Sequence, residues 1–315
     1  MIRYNVIMKK KITLLLIVIV PVIVCLGLFF VTRPQPVWIV EDRYLEAWRI
    51  TLRDSPLQGA RLVPLSAARS ALRRSWYGYR ISSAPVFSGE TESPVQIYHG
   101  LPGQVKYNDA IPLVIDPWLI FRRHTSPALS REQAESGSGE NGRILIATSD
   151  RTAITAWAAQ LLQESPGVFP PDAHSWEQME ERILQGPYFH RTSNWEDIWP
   201  DLLQDAWVYA PLSRIRALPL HETNILAADI FPSRPGWNQF GLQVQIIWAI
   251  PFGNKNELES AEAWLTSPSF QTILADTLGW LAVHPESPPF NPVSGNARIA
   301  WLTSSYVWTI PQPDN

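Results

Sequence analysis

Apolar positions along this chain fall into three patterns, and each predicts a different element. The first is an unbroken run. Residues 12–31 (ITLLLIVIVPVIVCLGLFFV) carry no charge, and twenty such residues are about what an α-helix needs to cross a ~30 Å hydrocarbon core. The second is a short run bounded by turn residues, the pattern of a buried strand. It occurs at 37–40 (VWIV), 60–65, 95–98, 143–148 and 242–250 (LQVQIIWAI). The third is an apolar residue every three or four positions, which predicts a helix with one buried face. It runs over 41–52 through Leu45, Trp48 and Leu52, over a turn or two at 67–74, and over 256–265 through Leu258, Ala261 and Leu265.

Boundary residues sharpen the pattern. Ser149 or Asp150 can cap a helix that continues through Leu162, because a short side-chain oxygen satisfies a free N–H of the first turn. Ser175, with Gln178 in the capping-box position, predicts a helix over 176–184. Gly279 closes another over 268–278. Residues 194–206 read as helical around Pro200, and 297–305 as a last helix beyond an irregular stretch after Pro285. Residues 111–121 (IPLVIDPWLIF) form the most apolar stretch of the body, and the Asp116-Pro117 step inside them predicts two crossing strands with a kink. Residues 134–142 (AESGSGENG) read as a flexible loop. Strand, helix, strand in this order predicts an α/β sheet with parallel pairs.

Composition sets the scale. About 280 of the 315 residues follow the first run, enough for one large domain or two lobes. With 46% hydrophobic and 17% charged residues, that body can bury a core. Four of the 26 Lys and Arg (Arg3, Lys9, Lys10, Lys11) precede it, so the body sets the other 22 against 29 Asp and Glu. A net-acidic body offers no electrostatic footprint for nucleic acid. The single cysteine, Cys25, lies inside the apolar run, which excludes an intramolecular disulfide and a cysteine metal site.

Three lysines stand directly before that run. Positive charge on this flank favours keeping it in the cytoplasm, so residues 33 onward are expected in the periplasm or outside the cell. An uncleaved single-pass anchor, a cleaved signal peptide and a lipoprotein signal modified at Cys25 all remain open. The first needs nothing beyond the run itself; the other two want small residues that Val24 and Cys25-Leu26-Gly27 do not supply.

Catalytic signatures are missing. The sequence contains no HExxH, no GxSxG and no P-loop. His99, His124, His174, His190, His221 and His284 are scattered without ligand spacing. Neither an enzyme, a metal site nor a cofactor is expected.

Several segments, in order, resemble the type 2 solute-binding proteins of ABC importers, most of all their sugar-binding group. The stretch beginning at Ile247, IWAIPFGNKNELESAEAWL, is similar to that family's strand, turn and helix. TSPSFQTILADTL at 266–278 is similar to the helix that follows, with Gly279 after it and the family's proline displaced to Pro285. Residues 111–122 resemble its crossing segment, although Phe121-Arg122-Arg123 stand where a Tyr-Asn pair is usual. PPDAHSWEQMEERI at 170–183 resembles its Pro-Pro helix start. The resemblance implies a two-lobed, periplasmic-binding-protein-like α/β fold after an N-terminal transmembrane helix, with ligand between the lobes. It divides the chain into a membrane segment (1–33), a first lobe (36–112 plus 245–288) and a second (113–244 plus 289–315).

It also implies a sugar or oligosaccharide as ligand, permease subunits as partners and attachment to the membrane through residues 12–31. All fifteen tryptophans follow that run, and an indole face stacks well on the C–H face of a sugar ring. Carboxylates and guanidiniums bind hydroxyls through charge-assisted hydrogen bonds. The candidates are Trp38 with Glu41 and Asp42, Asp116 with Trp118, Asp150 with Arg151, Trp195 and Trp199, and above all Trp237 with Asn238 in the loop Arg234-Pro235-Gly236. Trp48, Trp157, Trp176 and Trp264 sit at helical spacing and are expected in the core. Arg122 and Arg123 are expected to cap an element end. Two other roles suit the same scaffold: a receptor or assembly domain with a filled cleft, and an extracytoplasmic hydrolase.

Overall fold

The structure is a computed structural model describing residues 36–53, 61–68, 77–83, 94–99, 109–137, 144–147, 150–185, 195, 198–202, 206–253 and 258–310. The apolar run at 12–31 lies outside the described residues. Among them, no helix is long and apolar enough to cross a membrane.

In chain order the elements are β1 (Val37–Val40), α1 (Leu45–Leu52), β2 (Arg61–Pro64), β3 (Tyr77–Ser82), β4 (Gln96–His99) and β5 (Ile111–Arg123). Then come α2 (Arg131–Ser136), β6 (Ile144–Leu145), α3 (Arg151–Leu162), α4 (Ala173–Gln185), α5 (Trp199–Leu202) and β7 (Trp207–Pro211). They are followed by α6 (Leu212–Arg216), α7 (Leu220–Thr223), β8 (Leu226–Asp229) and β9 (Gly241–Gly253). The last are α8 (Glu259–Leu265), α9 (Pro268–Leu278), β10 (Leu281–Ala282), α10 (Pro292–Thr303) and β11 (Tyr306–Thr309).

The strands follow the order β2-β1-β3-β9-β5-β7-β6. β1 lies parallel to both β2 and β3, as expected where α1 carries the chain across the sheet face. β3 can approach β1 this closely because residue 78 is glycine: a Cβ there would collide with the Val37 carbonyl oxygen. β9 and β5 are long antiparallel neighbours in the middle of the order. Each is shared. The C-terminal part of β9 pairs with β3 and its N-terminal part with β11. β5 pairs with β9 and β10 through its first half, and with β7 and β8 through its second.

Apolar side chains collect in two large clusters. The first packs α1, α8 and α9 onto β1, β3 and the start of β5, around Trp38, Trp48 and Phe270. The second packs α3, α4 and α10 onto β7 and the far half of β5, around Trp157, Tyr209 and Trp301. A two-lobed α/β molecule with two crossing strands results. β4, drawn with the first lobe in the sequence reading, pairs with β11 and packs into the second cluster.

Several expected elements change. Residues 111–121 are not two kinked strands but part of one 13-residue strand. Pro112 is absorbed by a register shift before Val114, and Pro117 keeps its place opposite Val244. α4 is capped by Asp172, not Ser175: the Asp172 carboxylate accepts from Ser175 N at 2.8 Å and Ser175 Oγ at 2.9 Å. An anionic acceptor also suits the positive end of the helix. Gln178 meets the His174 ring instead of closing a capping box. The loop expected from residue 134 begins as α2, with a complete capping box at Ser130 and Gln133 and a left-handed Gly137 closing it. Of residues 194–206 only Trp199–Leu202 is described as α-helix. The last helix starts earlier than expected, at Pro292, because Asn291 caps it from outside and proline suits the first position.

Candidate ligand-binding cleft

The sheet register places the site. In the first lobe β3 ends at Ser82, opposite Trp248 of β9, and Trp248 in turn faces Pro112 of β5. In the second lobe β7 ends at Pro211, opposite Trp118 of β5. Both sets of carboxyl ends therefore face the same stretch of β5, from Pro112 to Trp118. At ~3.3 Å per residue that stretch is roughly 20 Å long. Carboxyl ends of strands at a lobe boundary are where α/β proteins bind ligands.

From the first lobe, Glu41 stands directly after β1. Its carboxylate accepts from Ser82 Oγ at 2.6 Å, Ser83 N at 2.7 Å and Arg43 Nε at 2.9 Å. Burial opposes its charge, but the bonds from Ser82, Ser83 and Arg43 together outweigh it and hold the carboxyl below its usual range. Arg43 also donates to the Ser83 hydroxyl. Asp42 accepts from Ser66 Oγ at 2.7 Å and Ser66 N at 3.2 Å, and these bonds lower its titration point. Tyr44 turns inward, its ring edge-on to Trp280. Burial above all pushes its phenol up to about 12, with Asp116 among the charges acting on it.

Asp116 lies midway along the crossing stretch and is 2% exposed. It accepts from Ser213 N at 2.9 Å and Ser213 Oγ at 2.5 Å, so a hinge-strand carboxylate caps the first turn of α6. Burial pushes it up to about 7, against the opposing bonds from Ser213 and the charges of Arg214 and Arg216.

From the second lobe come three indoles and the N-termini of two helices. Trp118 meets Trp195 edge-on at 6.5 Å, and Trp195 stacks on Trp199 at 5.9 Å. The exposed Arg214 lies over Trp195, its guanidinium carbon 5.9 Å from the ring centroid. β6 runs parallel to β7, so Asp150 and Arg151, at the start of α3, open on the same edge. Asp150 caps α3 by accepting from Thr152 N at 3.0 Å. Arg151 reaches Glu180 at 3.8 Å.

The expected residues thus divide three ways. Glu41, Asp116, Trp118, Asp150, Arg151 and Trp195 lie on the facing edges or on the crossing strand between them. Trp38 does not: it is 1% exposed, stacked on Tyr79 at 5.0 Å and packed against Trp48 at 5.7 Å. Strand alternation turned it into the first core. Trp237 and Asn238 lie apart from both. Trp237 lines an open groove of about 620 Å³ formed by α2, α3, α4 and the loop before β9. Arg122 ends its element as expected, bonding Asp229 at 2.5 Å and the Ser126 carbonyl at 2.6 Å. Sequence reasoning missed Arg43, Tyr44, Ser66, Ser82, Ser83, Ser213 and Arg214. The one available signal was position near the carboxyl end of a strand, which Ser82-Ser83 at the end of β3 and Ser213-Arg214 just beyond β7 share.

Solved structures repeat this architecture at low identity. A probable secreted solute-binding lipoprotein from Streptomyces coelicolor matches with a TM-score of 0.56 and 11% identity, over 87% of this chain and 88% of its own. An extracellular solute-binding protein from Staphylococcus aureus, in complex with maltose, matches at 0.53 and 10%, over 86% of both chains. A spermidine/putrescine substrate-binding protein from Streptococcus pneumoniae matches at 0.52 and 10%, over 89% of this chain and 94% of its own. No family model and no curated protein matches the chain. The fold is that of the type 2 extracellular solute-binding proteins.

Proposed function

We propose that this chain is the ligand-binding component of an ABC importer, that it takes a carbohydrate, and that residues 12–31 hold it to the membrane with the body outside the cytoplasm. The observation that carries the reading is the opposition of the two carboxyl edges across the Pro112–Trp118 stretch of β5. Closing the lobes about two strands would bury a small ligand there by a hinge motion. Among the described residues the charges on those edges balance: Glu41, Asp42 and Asp150 against Arg43, Arg151 and Arg214. Balanced donors and acceptors beside indoles suit a neutral polyol better than a polycation or an anion. No catalytic step and no cofactor is part of this reading.

A thermal-shift screen against mono- and oligosaccharides, amino acids and polyamines tests it. A sugar at 100 times its dissociation constant raises stability by about 2.7 kcal/mol. Trp195→Ala should weaken that sugar by about tenfold, ~1.4 kcal/mol. A polyamine hit with no sugar hit would refute the carbohydrate assignment. Membrane attachment has its own check: the full chain should sediment with membranes, and a chain lacking residues 1–33 should not.

One observation favours a second role. Trp118 and Trp195 are only 2% and 6% exposed, so the aromatic wall is already packed. A receptor or assembly domain with a filled cleft would look this way, and a blank across the whole screen would support it.

A further inference from the structure

The groove at Trp237 is built independently of the cleft. Trp237 sits on a tight turn: its N–H donates to the Arg234 carbonyl at 3.1 Å, and Gly236 takes a φ of 85° that few other residues tolerate. Arg234 fixes the turn to α3 by donating to the Leu161 carbonyl at 2.9 Å, and its guanidinium lies 5.6 Å from the centroid of the Trp237 ring. Met179, Leu161 and Pro235 supply apolar surface beside the indole.

The charges do not cancel. Four charged residues line the groove: Glu135, Glu164, Arg182 and Arg234. Glu135 is already committed, because Arg131, with a side chain 8% exposed, donates to it at 2.7 Å from below. Arg234 Nε is buried without a hydrogen-bond partner, 4.0 Å from that carboxylate. Arg182 makes one long bond of 3.4 Å, to the Glu135 carbonyl. Among the described residues the guanidiniums of Arg131, Arg182 and Arg234 therefore outnumber the carboxylates of Glu135 and Glu164, and the exposed Arg182 keeps donors to spare. A groove with an indole, an apolar floor and a surplus of guanidinium fits a ring that carries a carboxylate. Arg binds carboxylates in bidentate geometry, and an indole stacks on the ring face.

We infer that the Trp237 groove is a second carbohydrate site, open on the surface of the second lobe and selective for acidic sugars of the uronate type. Trp237 takes the ring, Arg182 and Arg234 take the carboxylate, and Glu164 takes ring hydroxyls. The site needs no lobe closure, so a chain that binds nothing in its cleft can still bind here.

Calorimetric titration with tri-galacturonate and with maltotriose tests it. The acidic trimer should bind, and maltotriose should bind this groove at least about tenfold more weakly, the loss expected when charge-assisted bonds are absent. Trp237→Ala, at a half-buried loop residue, and Arg182→Glu, at an exposed helix residue, should each weaken the acidic trimer by about tenfold or more. Two variants guard against a folding defect in either. Absence of trimer binding overturns the inference. So does binding that survives both variants, or binding that disappears only in Trp195→Ala, which would place the trimer in the cleft.

Discussion

Asp116 is a carboxyl group held where water does not reach, and its chemistry follows from that. An exposed aspartate titrates near 3.8, whereas burial lifts Asp116 to about 7. Folding therefore favours its protonated form. That contribution is fully present below about 4 and is lost as pH rises through about 7. Denaturation curves from pH 4.5 to 8 should show the native protein losing more stability than Asp116→Asn, which keeps an acceptor for the Ser213 N–H. Equal losses would contradict the assignment. The identity of such residues was only partly legible in the sequence. Asp116 stood out beside Pro117, and Glu41 stood out after a strand. Trp38 and Trp237 did not sort themselves, because an indole reads the same whether it faces a core, a cleft or an outer groove. The serines that saturate Glu41 and Asp42 could not be matched to them from the sequence, since they arrive from far away in the chain.

Among the elements, α6 links more of the molecule than its five residues suggest. Asp116 of β5 holds its start, and Arg216 at its end reaches into the first lobe. The Arg216 guanidinium donates to the Trp280 carbonyl at 2.7 Å, the Ala275 carbonyl at 3.4 Å and Asp276 at 3.1 Å. It thereby caps the C-terminus of α9, where free carbonyls and the helix dipole favour a cation. It also lies 4.5 Å from the centroid of the Phe290 ring. Arg216→Ala should cost about 2 kcal/mol in urea unfolding, the usual size for charged hydrogen bonds with a buried partner. A loss below ~0.5 kcal/mol would show that the contact contributes no more than a surface ion pair. Elements with strong periodicity (β1, α1, β9, α9) could be read directly from apolar spacing. β6 lay inside the run read at 143–148, but short strands such as β8, β10 and β11 could not be read. Their two to four residues are too few for a period, and partners distant in sequence define them. α6 was hidden for the same reason.

At the scale of the whole molecule, two cores share one pair of long strands. The family resemblance made this division legible because it depends on the order of elements, which survives after residue identity has gone. What it could not supply was the shape of the cleft. That shape depends on which side chains the register brings opposite one another, such as Pro211 against Trp118 and Ser82 against Trp248. The register also separates the Trp237 groove from the cleft, although the sequence offered them as one set of candidates. If the facing edges bind ligand, the lobes must approach each other about β5 and β9. Small-angle scattering of the protein with and without the sugar that stabilises it most tests this directly. The account predicts a smaller radius of gyration at saturation, and in Trp195→Ala the same contraction only at about tenfold higher sugar concentration. An unchanged radius with the sugar demonstrably bound would contradict a closing cleft.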